Sequence, residues 1–247
     1  MPGNVPTMSV PYPHPLFGVD TILGAGFNGT DTYLTRGADL TGNVDSQVIT
    51  IAFKTRMSSA GYVFESTSNR MARVNIINNA SIQILGANAA GSLVYNWNAT
   101  GFSPVLDDGN YHTVLFSVSL PATEIAHFVI DDTEITYSAN FTVEDETIDY
   151  TVADHVVGAA FGLGSKYSGD IEMFWLDNVY YDFSVEANRR KFFDASGDAV
   201  LDPTGDGTPA GGAQPLIYLA GTFDQWEENK GTGGGMTVTG ALTEPAD

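Results

Sequence analysis

Along much of this chain, hydrophobic and polar residues alternate with a period of two. Ile49, Ile51 and Phe53 take turns with Thr50, Ala52 and Lys54, the pattern of a strand with one buried face. Similar runs cover 62–65, 72–77, 81–85, 93–97, 112–120, 125–130, 156–161 and 171–181, with Gly, Asn and Asp clusters between them. Many short strands with such punctuation predict an all-β antiparallel sandwich between Ala25 and Asp182. One helix of about two turns is expected next. Ser184 suits its cap, Glu186 the positive end of its dipole, and Arg189, Arg190 and Lys191 the negative end. Val185, Phe192 and Phe193 are expected to share one face and seal an edge of the sandwich, and Gly197 ends the helix.

Both ends of the chain depart from this pattern. Pro2, Pro6, Pro11, Pro13 and Pro15 forbid helix at the start and predict an extended, polyproline-like arm over residues 1–20. Tyr12, His14, Leu16 and Phe17 lie among and just after those prolines. Apolar residues there are unusual for a merely solvating tail, so these four are the expected assembly contact. Residues 21–197 form the expected sandwich. Residues 198–247 are read as a Gly- and Asp-rich linker and a short β-rich segment too small to fold alone.

Composition narrows the partners. Hydrophobic residues make up 43% of the 247, enough for a large core, while 30 acidic residues against 10 basic ones give a net charge of -20. A polyanion is repelled by phosphate backbones and anionic lipid surfaces, so neither nucleic acid nor a membrane is an expected partner. Cysteine is absent, which excludes disulfides, thiolate metal sites and cysteine nucleophiles. The apolar runs are strand-sized and the N-terminal residues lack a basic and an apolar region, so neither a membrane span nor a classical secretion signal is expected.

Several segments resemble a known fold family. Phe27-Asn28-Gly29-Thr30-Asp31-Thr32-Tyr33-Leu34 is similar to the opening F-x-G-x-x-x-Y strand of concanavalin A-like, laminin-G-like jelly rolls, and residues 48–53 to their next strand. Asp108-Gly109-Asn110-Tyr111-His112-Thr113-Val114 resembles their D-G-x-W-H-x-V turn, with Tyr111 in the Trp place. Phe128-Val129-Ile130-Asp131-Asp132 resembles the Y-V-D-G hairpin, with Asp132 where glycine is expected. Gly169-Asp170-Ile171 and residues 176–181 resemble the closing strand, which a short helix follows. The resemblance implies a jelly-roll β-sandwich. Asn229-Lys230-Gly231 and residues 237–243 further resemble a C-terminal appendage of such jelly rolls in structural proteins of tailed bacteriophages and prophages. That implies a multicopy virion surface component, a capsid decoration, fibre or adhesin-like protein, made in a bacterial host cytoplasm and associating with other virion proteins.

Candidate chemistry is sparse. Glucanases of this superfamily carry E-x-D-x-x-E on one strand face, whereas Asp170-Ile171-Glu172 supplies two carboxylates without a third and reads as a solvent-facing pair. His112 belongs to the family's turn and reads as structural. Neither H-E-x-x-H nor G-x-S-x-G occurs. Gly162-Leu163-Gly164 follows a strand but lacks the third glycine and the helix of a dinucleotide site. Asp194, Asp198, Asp202 and Asp206 recur every four residues, and a hard cation such as calcium takes several oxygens of that kind. The spacing is not that of an EF-hand. A solvated acidic linker is the preferred reading, calcium the alternative, and no metal or cofactor is assigned. Sugars need an exposed aromatic plane beside amides, so Tyr95, Asn96, Trp97 and Asn98 are the candidate carbohydrate-binding residues. Leu93, Tyr95 and Trp97 share a face on strict alternation, and for their side chains, as for Trp175 and Trp226, the core is the preferred reading. The sequence thus points to a non-catalytic virion surface protein displaying a lectin-like sandwich, or to a lectin module whose main role is recognising glycans such as those of a host surface.

Overall fold

The strand-forming runs pair into two antiparallel sheets. The computed structural model describes residues 23–67, 71–103, 105–121, 125–135 and 141–246. The Pro-rich arm, with Tyr12, His14, Leu16 and Phe17, lies outside the described residues. The strands are β1 (Ala25–Asn28), β2 (Tyr33–Arg36), β3 (Val48–Ser59), β4 (Gly61–Ser66) and β5 (Arg73–Asn78). They continue as β6 (Ser81–Ala87), β7 (Leu93–Thr100), β8 (His112–Ser119), β9 (Ile125–Ile130) and β10 (Thr133–Glu134). The last are β11 (Phe141–Thr142), β12 (His155–Val157), β13 (Ser168–Asp177), β14 (Ile217–Leu219) and β15 (Thr237–Thr239). Sheet A has the order β1-β13-β3-β8-β9-β10, with β14 also on β13, and sheet B the order β11-β7-β6-β5-β4-β12-β2-β15. Their inner faces enclose one core, in which the Phe174 ring lies 5.3 Å from Phe64 and 6.4 Å from Phe53.

The opening motif is not one strand but a crossing between sheets. The Asn28 side-chain oxygen accepts the N–H groups of Thr30, Asp31 and Thr32 at 2.8, 3.0 and 3.2 Å, turning the chain from β1 in sheet A to β2 in sheet B. The run expected over 156–161 is also shorter. It ends at Val157, because Gly158 takes a positive φ of 82° against the Phe27 ring, where any Cβ would clash.

The helix differs most from expectation. It is a single turn, α1 (Glu186–Arg189), without a side-chain cap. Ser184 instead gives its N–H and hydroxyl to Asp182, at 3.0 and 2.5 Å. Val185 is exposed, whereas Phe192 and Phe193 are buried, so the three do not share a face. Nor does this segment seal an edge. Phe183, Phe192 and Phe193 pack with Leu201, Tyr218 and Ala220 over Ala52, Leu115, Val129, Met173 and Trp175, a second apolar cluster on the outer face of sheet A. Trp175 lies edge-on to Phe192 at 4.9 Å, and its indole N–H donates to the Gly207 carbonyl at 2.9 Å.

Residues beyond 197 share in both sheets. β14 pairs with β13 and β15 with β2, Thr243 exchanges backbone hydrogen bonds with Gly26 of β1, and Trp226 is buried in the central core against Phe27. No helix among the described residues is long and apolar enough to cross a membrane.

Candidate functional site

Among the described residues, the outer face of sheet B has no covering layer comparable to the cluster on sheet A, and polar side chains collect on it. In β5 the inward residues Val74 and Ile76 alternate with Arg73 and Asn75, and in β6 Ile82 and Ile84 flank Gln83. Register places Tyr62, Asn75, Gln83 and Asn98 side by side on β4, β5, β6 and β7. Neighbouring strands lie about 4.8 Å apart, so the three amides form a continuous row. Asn96 joins it by accepting from the Gln83 amide at 3.1 Å. At the aromatic end, the Arg73 guanidinium stands 5.2 Å from the Tyr62 ring centre and pairs with Glu65 at 2.9 Å. The second Glu65 oxygen accepts the Phe161 N–H at 2.6 Å. That contact ties the 158–167 loop, with its part-exposed Phe161 and Leu163, to this face.

The four residues expected at a sugar site divide between the two faces of β7. Asn96 and Asn98 are half-buried on the outer face, but Tyr95 and Trp97 belong to the interior. Tyr95 stacks on Phe116 at 5.9 Å and donates its hydroxyl to the Met71 carbonyl at 2.9 Å, so it is not a ligand contact. Its ring fits because Gly86 stands opposite, where a Cβ would come within 2.4 Å of it. An irregularity at that point pairs Leu93 with Ala87 and turns Leu93 outward, so Leu93 does not share the face of Tyr95 and Trp97. Tyr62, Arg73, Asn75 and Gln83 were not singled out in the sequence. Amides at every second position of β5, β6 and β7 are the signal that could have found them.

Other candidates serve the fold. Asp170 and Glu172 are not a solvent-facing pair. Asp170 holds Arg56 at 2.7 Å and Glu172 holds Lys54 at 2.9 Å, and both cations lie over the Tyr111 ring. Burial and the Asp170 charge push the Tyr111 hydroxyl up to about 12. His112 bridges Asp131 at 2.7 Å and Asp108 at 3.1 Å, and those carboxylates raise its pKa. The repeated aspartates do not converge. Asp194, Asp202 and Asp206 each accept the N–H of the residue two places on, and Asp198 pairs with Lys54. Among the described residues no group of three or more His, Asp or Glu is arranged to hold a metal ion. Gly162-Leu163-Gly164 is part of a turn, with the Leu163 N–H on the Ala160 carbonyl.

No family model matches the chain, and no curated protein does. Solved structures do match. One, titled a "putative carbohydrate binding protein" from Bacteroides ovatus, superposes with a TM-score of 0.59 at 10% identity, over 91% of this chain and 60% of that one. The shared architecture is a two-sheet antiparallel sandwich. A SAP-like pentraxin from Limulus polyphemus matches at 0.48 and 13% identity, over 67% of this chain and 81% of that one. Domains LG4-5 of the mouse laminin alpha1 chain match at 0.41 and 16%, over 72% and 49%. The antiparallel jelly-roll sandwich expected from the sequence is the architecture observed.

Proposed function

We propose that this chain is a non-catalytic glycan-binding module whose recognition surface is the outer face of sheet B. The supporting observation is the row Asn75, Gln83 and Asn98 beside Tyr62. Each amide offers two donors and an acceptor, the complement of sugar hydroxyls, and a tyrosine at one end suits the apolar face of a sugar ring. The Bacteroides protein of the same fold, described as a "putative carbohydrate binding protein", is consistent with this use. Commitment of Asp170 and Glu172 to cations argues against a hydrolytic pair. A glycan array probed with the full chain and with Gln83→Ala tests the reading. Lost hydrogen bonds of about 1 kcal/mol each should weaken binding roughly fivefold. Array binding that ignores Gln83→Ala, Asn75→Ala and Tyr62→Ala alike would overturn it.

The setting is a separate proposal. The C-terminal resemblance supports a multicopy virion surface protein attached through the Pro-rich arm. Immunogold labelling of purified particles tests it, and deletion of residues 1–17 should abolish incorporation while leaving the sandwich folded.

A further inference from the structure

The apolar cover of sheet A leaves an opening. Between the turn that joins β9 to β10, the start of β8 and residues 194–198 lies a cleft of about 440 Å³, within the size range of small-molecule sites. Leu115 and Phe193 supply buried apolar surface to it, and Tyr111 an aromatic wall.

Most of the remaining side chains are charged, with Asn110, Thr113 and Ser196 polar among them, and each cation is already matched. Arg190 holds both Asp132 oxygens, at 2.6 and 3.1 Å, and Arg189 reaches the same carboxylate at 2.5 Å. Lys54 lies 2.9 Å from Glu172 and 3.3 Å from Asp198. Asp131 takes His112 and the Thr113 N–H at 2.7 and 2.9 Å, and Asp194 accepts from the Ser196 N–H and hydroxyl at 2.8 and 2.7 Å. An incoming anion would have to displace Asp132 or Asp198, and an incoming cation would meet Lys54, Arg189 and Arg190. What the pairs leave over are guanidinium and ammonium donors beside carboxylate lone pairs. A hydroxyl, which donates and accepts at once, satisfies both members of such a pair, and vicinal hydroxyls match the fork of a guanidinium or carboxylate.

Asp132 adds an independent observation. It occupies the hairpin position with a φ of 63°, a conformation that glycine adopts freely and other residues adopt only under strain. The side chain that this backbone carries is the one gathering Arg189 and Arg190 at the cleft.

We propose that this cleft binds an uncharged saccharide, one or two pyranose rings whose vicinal hydroxyls bridge the Asp132–Arg190 and Lys54–Asp198 pairs. It lies on the opposite sheet from the amide row and stands or falls separately from it. Amide NMR titration of the full chain with glucose, galactose, mannose, N-acetylglucosamine, lactose and cellobiose tests the assignment. At least one should shift the amides of Asn110, Thr113, Ser196 and Gly197. Asp132→Gly, which suits the turn, should weaken that binding about tenfold, as should removal of the rim hydroxyl in Ser196→Ala. Gln83→Ala on sheet B should leave it unchanged. Ser196→Ala keeps the test decisive if Asp132→Gly unfolds the hairpin. Three results would overturn the proposal: no shifts with any of the six sugars at millimolar concentration, shifts confined to sheet B, or tighter binding of glucuronate or glucosamine than of glucose.

Discussion

The outer faces of the two sheets start from similar strands and end differently. On sheet A, the residues after β13 return to cover Trp175, Met173 and Leu115, so the sheet is buried on both sides and its central strands read as almost continuously buried. On sheet B, Tyr62, Asn75, Gln83, Asn96 and Asn98 stay half-buried and polar. The lesson is that strand alternation reports only the face toward the first core. What becomes of the second face is decided by segments distant in sequence, here residues 183–220.

Truncation shows the contrast most strongly. Trp175→Ala should cost about 3–5 kcal/mol in urea unfolding, as for a large aromatic lost from a core, whereas Tyr62→Ala on the sheet B face should cost far less. A Trp175 cost below that of Tyr62 would remove the distinction between the faces.

Histidines on the two sheets should titrate with opposite sign. Burial pushes His155, on β12, down from 6.5 to about 4. The unfolded chain therefore binds a proton there that the fold resists. Stability should fall as pH drops from 6.5 to 4, by up to about 3 kcal/mol. His112, on β8, has its pKa raised by Asp131 and Asp108. Its contribution is full below 6.5 and is lost as pH rises through the folded value. Stability profiles of His155→Gln and His112→Gln should flatten the acid and the alkaline limb respectively, and a profile in which both flatten the same limb would contradict this.

A smaller effect probes the β7 face that packs inward. Gly86→Ala places a Cβ within 2.4 Å of the Tyr95 ring and 2.6 Å of the Met71 carbonyl, so overpacking should cost about 1–3 kcal/mol in thermal unfolding. The smallest effect belongs to the amide row. Asn75→Ala should change stability by no more than about 0.5 kcal/mol, as at other surface sites, while reducing glycan-array signal. A large stability loss there would reassign the row to the fold.

Much of this architecture was legible. The Ile49, Ile51 and Phe53 alternation marked β3, and the resemblance around Asp108 to Val114 placed a turn that Asp108 caps through the Asn110 N–H at 2.8 Å. Trp175 and Trp226 are core residues as expected. The repeated aspartates leave calcium as an alternative on sequence alone because oxygen-rich loops and local turn caps share a composition. Asp194-Ala195-Ser196 and Asp202-Pro203-Thr204 show the distinguishing feature, a hydroxyl residue two places after the aspartate that bonds back to it. The amide row was legible only strand by strand, since its continuity depends on register that no local pattern carries.

The strands nearest the C-terminus impose an order on biosynthesis. β15 completes sheet B beside β2, and Thr243 reaches back across more than two hundred residues to Gly26. A ribosome emits the chain from the other end, so while β1, β2 and β13 are already available, Trp175 and its neighbours wait for Leu201 and Tyr218 to emerge. Until those residues arrive, the outer face of sheet A keeps its apolar side chains uncovered, so the order of emergence sets when that face can be buried.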